Sequence, residues 1–259
     1  MVFLLLLAVA ASAQTESSWP RDQTSHFVVA RENPASSPGN QNLIERLYES
    51  LHPDLRLLVP WMTTKKVEVY LYLDRDAFLK GRFSPPPWSR GLLADADGEK
   101  ALVLYEPLDA ATAAHELTHL YFHSFFDGGK APAPSWLDEG LATMLQDEAL
   151  SLPDPRELGP VLKAPMPLAS LFKTRPSKDA PADRVGPWYL QASSVVRFLK
   201  RAHIEDSFAD FCAKLRDGSD LETALREVYG YADLAAFEQD WRRWRPKKAK
   251  GLPVGLDDR

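Results

Sequence analysis

This chain has little of two residue types that small metal-binding proteins often use. It contains one cysteine, Cys212, and six histidines among 259 residues. A single thiol excludes an intramolecular disulfide and any zinc cluster built from several cysteines. A metal site in this protein therefore has to be made from a few histidines and carboxylates.

Positive charge and long apolar runs are also scarce. The net charge is −5, which gives no electrostatic basis for binding nucleic acid. The apolar run Val2–Ala11 falls well short of the roughly 20 residues that span a bilayer, so we expect no transmembrane span. A small-x-small cleavage signature, Ala11-Ser12-Ala13, follows it, although no Lys or Arg precedes it. We expect residues 1–13 to be a signal peptide, rather than a buried strand or a short anchor, and the protein to be exported to a periplasmic or extracellular location.

The first part of the remaining chain is rich in strand patterns. Residues 14–25 are polar and are predicted to be a flexible lead. Residues 26–105 carry three strand signals: His26–Ala30, the alternating stretch from Val67 to Leu73, and a hairpin of Leu92–Ala96 with Ala101–Tyr105. Two interpretations of Ala101–Tyr105 stay open: an edge strand that binds an extended peptide, or a core strand.

After Tyr105 the pattern becomes helical. Asp109 is a suitable N-cap for a helix that runs to Phe126, and a second helix begins after Pro134, so residues 109–150 form a helical pair. Residues 151–187 are rich in proline and are predicted to be mostly irregular. Apolar spacing predicts three or four amphipathic helices over 187–245. The tail, 246–259, continues a basic cluster and is expected to be solvated, with contact to an anionic surface as the alternative.

The first of these helices carries His115-Glu116-Leu117-Thr118-His119. Residues four apart lie on one face of a helix, so the imidazoles of His115 and His119 can reach one ion. Glu116 projects beside them, where it can hold a water without occupying a coordination position. This H-E-x-x-H arrangement is typical of zinc metalloproteases, with two ligands and a general base. The alternative, a solvated helix with two exposed histidines, disagrees with the apolar neighbours on both sides of the motif.

A catalytic zinc needs a third protein ligand and one open position. The second helix carries Trp136-Leu137-Asp138-Glu139-Gly140-Leu141-Ala142, beginning shortly after the first helix ends. The two motifs together resemble those of the gluzincin zinc peptidases, including the aminopeptidase N-type enzymes. They are most similar to the peptidase MA-like exported proteins, and the similarity covers roughly residues 26–245. The 19 residues between His119 and Glu139 are one more than in the aminopeptidase N-type pattern, an addition that the loop before Pro134 can hold.

The resemblance implies that His115, His119 and Glu139 bind zinc, one ion per chain, and that Glu116 is the general base. It also implies that Tyr189, on a later helix, donates to the oxyanion, although this residue also falls on the apolar face of that helix. Asp138 is a helical neighbour of Glu139 and points about 100° away, so both cannot face the ion. His123 is interpreted as packing or as a support for a ligand.

Where some gluzincins place an acid that orients a histidine ligand, this chain has Thr143. That leaves the orienting carboxylate unassigned, with Asp138 as a candidate.

These observations predict an α+β fold: a small mixed or antiparallel sheet packed on the two motif helices, with a C-terminal α-helical subdomain. The predicted function is that of an exported zinc peptidase acting on peptide or protein substrates. Two alternatives stay open: a zinc-stabilised binding or scaffold module without turnover, and a zinc amidase acting on cell-wall peptides.

Overall fold

The computed structural model describes residues 16–36, 38–152, 164–176, 182–204 and 206–244. Over these ranges the chain forms a five-stranded mixed sheet and nine α-helices, which confirms the predicted α+β class. The strands are β1 (Arg21–Gln23), β2 (Phe27–Arg31), β3 (Val67–Tyr72), β4 (Leu92–Ala96) and β5 (Glu99–Tyr105). The helices are α1 (Pro38–Leu55), α2 (Arg75–Lys80), α3 (Ala110–Phe126), α4 (Ser135–Ala149), α5 (Leu168–Leu171), α6 (Ala182–Arg201), α7 (Ser207–Arg216), α8 (Leu221–Tyr229) and α9 (Leu234–Arg243).

The sheet has the strand order β1-β2-β3-β5-β4. Strands β2, β3 and β5 run parallel, while β1 and β4 pair antiparallel at the two edges. A tight turn joins β4 to β5 at Asp97 and Gly98, which both have positive φ, as a two-residue hairpin turn requires. Strand β5 is therefore a core strand. The alternative that Ala101–Tyr105 is a peptide-binding edge is wrong, because β4 covers that side.

Both faces of the sheet are covered. On one face, Val69 of β3 and Leu102 of β5 belong to the main core with α1, α3 and α4. On the other face, Tyr70 and Tyr72 of β3 join a smaller cluster that includes Trp19. Both tyrosines are only 2 % exposed, so β3 is buried on both faces rather than on one as its alternating pattern suggests.

The cluster with Trp19 also corrects the prediction for residues 14–25. The described part of that segment is folded, with a 3₁₀ turn at Glu16–Ser18 followed by β1. Glu16 accepts a hydrogen bond from the Tyr72 hydroxyl at 2.6 Å and from the backbone N–H of Arg82 at 3.0 Å. Polar composition alone suggested a flexible lead, but a buried tryptophan and a paired carboxylate hold this segment against the sheet.

The motif helices lie in the middle of the helical layer. α3 packs on α4, and α4 in turn packs on α6 along its length. The last two helices join the same core through Leu225, Phe237 and Trp241, so one apolar cluster extends from β2 to α9. Within the described ranges, no helix combines the length and apolar character needed to cross a membrane.

The proline-rich stretch is less irregular than predicted. Its described parts contain the short α5 and the start of α6, which begins at Ala182 and contains Pro187. The predicted signal peptide (1–13) and basic tail (246–259) lie outside the described residues, and the domain limits drawn from the sequence stay predictions.

Candidate active site

Helix α3 begins directly after β5 and its connecting turn, and this position sets the direction of the H-E-x-x-H motif. The Asp109 carboxylate caps the helix by accepting from the backbone N–H groups of Ala111 and Thr112. His115 and His119 follow one turn apart, and their Nε2 atoms lie 3.1 Å from each other. The predicted pair of histidines therefore points at one position.

Helix α4 brings Glu139 to the same position. Its Oε2 lies 3.4 Å from Nε2 of His115 and 3.5 Å from Nε2 of His119. Around a tetrahedral zinc with bonds of about 2.0–2.2 Å, neighbouring ligand atoms are roughly 3.3–3.6 Å apart. Both nitrogen–oxygen distances fall in this range, and the nitrogen–nitrogen distance of 3.1 Å is about 0.2 Å shorter. Two imidazole nitrogens and one carboxylate oxygen form a donor set that fits zinc.

Asp138, the neighbour of Glu139, contacts the other side of the same imidazole. Its Oδ1 lies 2.7 Å from Nδ1 of His119, and its Oδ2 lies 2.9 Å from Nε2 of His123. An ionised carboxylate only accepts, so Nδ1 of His119 carries the proton and, in the neutral ring, Nε2 keeps its lone pair for a metal. Asp138 thus takes the orienting role that the sequence left unassigned. His123 bonds to Asp138, and its ring also lies beside that of His119, with the ring centres 5.5 Å apart.

Within the described part of the chain, His115 has no such contact at its Nδ1 atom. Its Nδ1 is buried and has no hydrogen-bond partner among the described residues. Asp138 is therefore the one described carboxylate that orients a histidine of this pair through Nδ1. Loss of this carboxylate should affect His119 directly and His115 only indirectly.

The electrostatics of the cluster favour a bound cation. Burial opposes the charged form of His119, but hydrogen bonds and charges from Asp138 and Glu139 raise its pKa to about 10. Burial likewise opposes ionisation of Glu139, but hydrogen bonds from His115 and His119 hold its pKa well below the usual range. The carboxylates of Asp138 and Glu139 thus stay ionised on either side of the His119 ring and attract positive charge to it. A divalent ion supplies more of that charge than a proton does.

Glu116 lies beside this cluster on the wall of a cavity of about 490 Å³. Burial raises the pKa of its carboxyl, and the neighbouring histidines partly offset that effect. The chain makes room for the side chain at Gly91, where a Cβ atom would lie 2.9 Å from Cγ of Glu116. The position of Glu116 therefore depends on a glycine immediately before β4 that no spacing rule indicated.

Tyr189 reaches the same cavity from α6. Burial, followed by the charge of Glu139, raises the pKa of Tyr189 to about 12, so its hydroxyl keeps its proton as a donor. The approach of α6 depends on Gly140, because a Cβ there would lie 2.8 Å from the backbone carbonyl of Ala192. The structure thus brings all five predicted site residues to one cavity: His115, Glu116, His119, Glu139 and Tyr189.

One charged residue of the cavity was missed by sequence reasoning. Arg175 follows α5, and its Nη2 donates to Oε1 of Glu139 at 2.8 Å. It stands alone in a proline-rich segment without periodicity or motif, so the sequence held no signal for it.

The family model of the Peptidase MA superfamily matches residues 59–246. The chain is similar to an M1 zinc metallopeptidase from Deinococcus radiodurans, with 16% sequence identity and a TM-score of 0.40 over 92% of this chain and 53% of that chain. It is similar to a point mutant of the same enzyme at 14% identity and a TM-score of 0.39, over 88% and 52% of the two chains.

This chain thus spans about half the length of the solved structures that it matches. Among curated proteins, none matches it significantly. The family model covers most of the chain, including both motif helices, so the predicted relationship is confirmed and the protein belongs to the Peptidase MA superfamily.

Proposed function

We propose that this protein is an exported zinc-dependent peptidase. The observation that carries the proposal is the donor set of His115, His119 and Glu139, whose three ligand atoms lie 3.1–3.5 Å from one another. Three protein ligands leave a fourth tetrahedral position, the arrangement of a catalytic rather than a structural zinc. Glu116 and Tyr189 line the cavity next to that position.

A zinc ion bound there would polarise the substrate carbonyl and lower the pKa of water. Glu116 has the position of a general base: it accepts a proton from the attacking water and returns it to the leaving amine. Tyr189 keeps its hydroxyl proton and donates a hydrogen bond to the carbonyl oxygen as negative charge develops there.

Strand β4 supports a peptide as the substrate. It is the outer strand on its side of the sheet, and Leu92 and Leu93 line the cavity with Glu116. An outer strand presents unpaired backbone groups, which an extended peptide can meet by strand addition. Peptide binding by strand addition is therefore proposed for Leu92–Ala96 rather than for Ala101–Tyr105.

Export is proposed from the sequence of residues 1–13 alone. If it is correct, the mature protein begins near Gln14, immediately before the folded 3₁₀ turn at Glu16–Ser18. N-terminal sequencing of the protein secreted by an expressing cell tests this, and an intact Met1 would contradict it.

The central experiment measures zinc content and peptide cleavage for the wild type and for Glu116→Gln. The variant keeps the three ligands and loses the base, so it should retain zinc and lose cleavage by about 10²–10⁴-fold. Glu227→Gln is the matched control, because Glu227 on α8 is an exposed partner of Lys214 on α7 and does not line the cavity. A wild type that binds zinc but cleaves nothing in a broad peptide library would contradict the peptidase and support the binding module.

A further inference from the structure

Arg175 lies beside the candidate zinc ligands, but the proposed mechanism does not use it. Its guanidinium donates to Oε1 of Glu139, while Oε2 of the same carboxylate faces the two histidines. The Arg175 side chain is 60% exposed, whereas Glu139 is 6% exposed. Within the described residues this is the one hydrogen bond that the guanidinium makes, so most of its five N–H donors face open space.

Arg175 lines the cavity of the candidate active site. Among the described residues that line it, Arg175 is the one Lys or Arg. Much of the remaining wall is apolar, with Trp88, Leu93 and Val185. The side chain is 60% exposed, so water screens part of its charge, and its means of binding an anion is the set of N–H donors that Glu139 leaves unused.

Arg175 also lines a second cavity, of about 580 Å³. Lys130 lines it, and so does Lys100, which already pairs with Asp127 at 2.7 Å. Arg175 therefore lines both the reaction cavity and a second, charged cavity, in which the two lysines lie beside Asp127 and Asp138.

We propose that Arg175 binds a carboxylate of the substrate, so that the enzyme favours peptides with a carboxylate on a residue next to the bond that is cleaved. This inference rests on the proposed peptidase function. Arg175 touches Glu139 directly, and consecutive residues of an extended peptide are about 3.3–3.6 Å apart, so a carboxylate bound here belongs to a residue that flanks the reacting carbonyl. An acidic side chain and a free C-terminus present the same planar group to the guanidinium fork.

The competing explanation is that Arg175 serves only to position Glu139. In that case its loss would weaken zinc binding and would reduce the cleavage of every peptide by the same factor. A substrate contact predicts selective loss instead, because only peptides with the carboxylate lose a charged partner.

The experiment uses full-length, zinc-loaded protein and peptides in matched pairs. One series replaces Glu by Gln at each residue around the cleaved bond, and a second compares a C-terminal acid with its amide, which distinguishes the two sources of the carboxylate. Cleavage is measured for the wild type, Arg175→Gln and Arg175→Lys, with Arg226→Gln as the control for one lost charge on the exposed face of α8. Binding of the same peptides is measured in the Glu116→Gln background, where cleavage is not required.

The wild type should prefer the acidic member of at least one pair. Arg175→Gln should lose about tenfold to hundredfold more on that member than on its neutral partner, in both kcat/KM and binding. Arg175→Lys should recover part of the preference, because it keeps the charge without the fork.

Equal losses on both members, or no preference in the binding series, would overturn the proposal. If selective binding occurs without any cleavage by the wild type, the peptidase function fails while the role of Arg175 in binding stands.

Discussion

Replacing Asp138 by Asn tests how the candidate metal centre is held together. Asp138 accepts from His119 at 2.7 Å and from His123 at 2.9 Å, and it is the one described carboxylate that contacts a histidine of the candidate pair through Nδ1. Asparagine keeps the shape and one acceptor oxygen but loses the charge, so the imidazole of His119 becomes a weaker and less fixed ligand. Loss of such a partner costs about 10–100-fold in metal affinity, which corresponds to roughly 1.4–2.7 kcal/mol.

Competition for zinc with a chromophoric chelator measures this change directly. Denaturant unfolding of the metal-free proteins, run in parallel, separates weaker zinc binding from a damaged fold. Asp127→Asn is the matched control: it also removes one charge close to His123, but its carboxylate is 59% exposed and pairs with Lys100. That variant should bind zinc as the wild type does.

Two results would refute the reasoning. Zinc affinity unchanged in Asp138→Asn would mean that this carboxylate does not orient His119. A loss as complete as that of His119→Ala would mean that Asp138 is itself a ligand, so the assignment of Glu139 would have to be revised.

Two further predictions concern the helices that carry the site. Gly140→Ala places a Cβ 2.8 Å from the carbonyl carbon and oxygen of Ala192, where backbone cannot easily move, so it should lower the free energy of unfolding by about 1–3 kcal/mol; unchanged denaturant unfolding would contradict the close approach of α4 and α6. Asp54 pairs with Lys200 and Arg201 at 3.2 and 3.1 Å. Burial opposes its ionisation, but these cations hold the pKa of Asp54 below the usual range. Asp54→Asn should therefore cost about 1.5–3 kcal/mol at neutral pH. The difference from the wild type should shrink as the pH falls below about 3.9 and through the lowered pKa, since the wild-type carboxylate is then protonated too; an equal difference at neutral and strongly acidic pH would contradict this.

The parts of the site that the sequence predicted are those that depend on one helix at a time. The spacing of His115 and His119 fixes their common face through helix periodicity alone. Glu139 needed more than periodicity, because its approach depends on how α4 packs against α3, and a family resemblance supplied that information. Their assignment as ligands is a prediction that zinc measurements on single variants can test.

Features that depend on contacts between distant segments could not be predicted. The prediction of a flexible lead was wrong because Trp19 and Glu16 are held by partners far along the chain, on β3 and at Arg82. Arg175 was missed for the same reason, since its role exists only where the segment after α5 meets Glu139. Composition and hydrophobic periodicity show which face of a helix or strand is apolar, but they do not show which distant segment packs against that face.

The three consecutive residues Asp138, Glu139 and Gly140 join the fold to the proposed chemistry. Asp138 and Glu139 contact opposite nitrogens of one imidazole, at 2.7 and 3.5 Å, so α4 is fixed against α3 by the same contacts that would define the metal site. Gly140, facing the other way, lets the backbone of α6 approach and so brings Tyr189 to the cavity. Substitutions at these neighbours should therefore have distinct effects: the first weakens the orientation of His119, the second removes a proposed ligand, and the third moves the helix that carries Tyr189 while leaving all three proposed ligands in the chain.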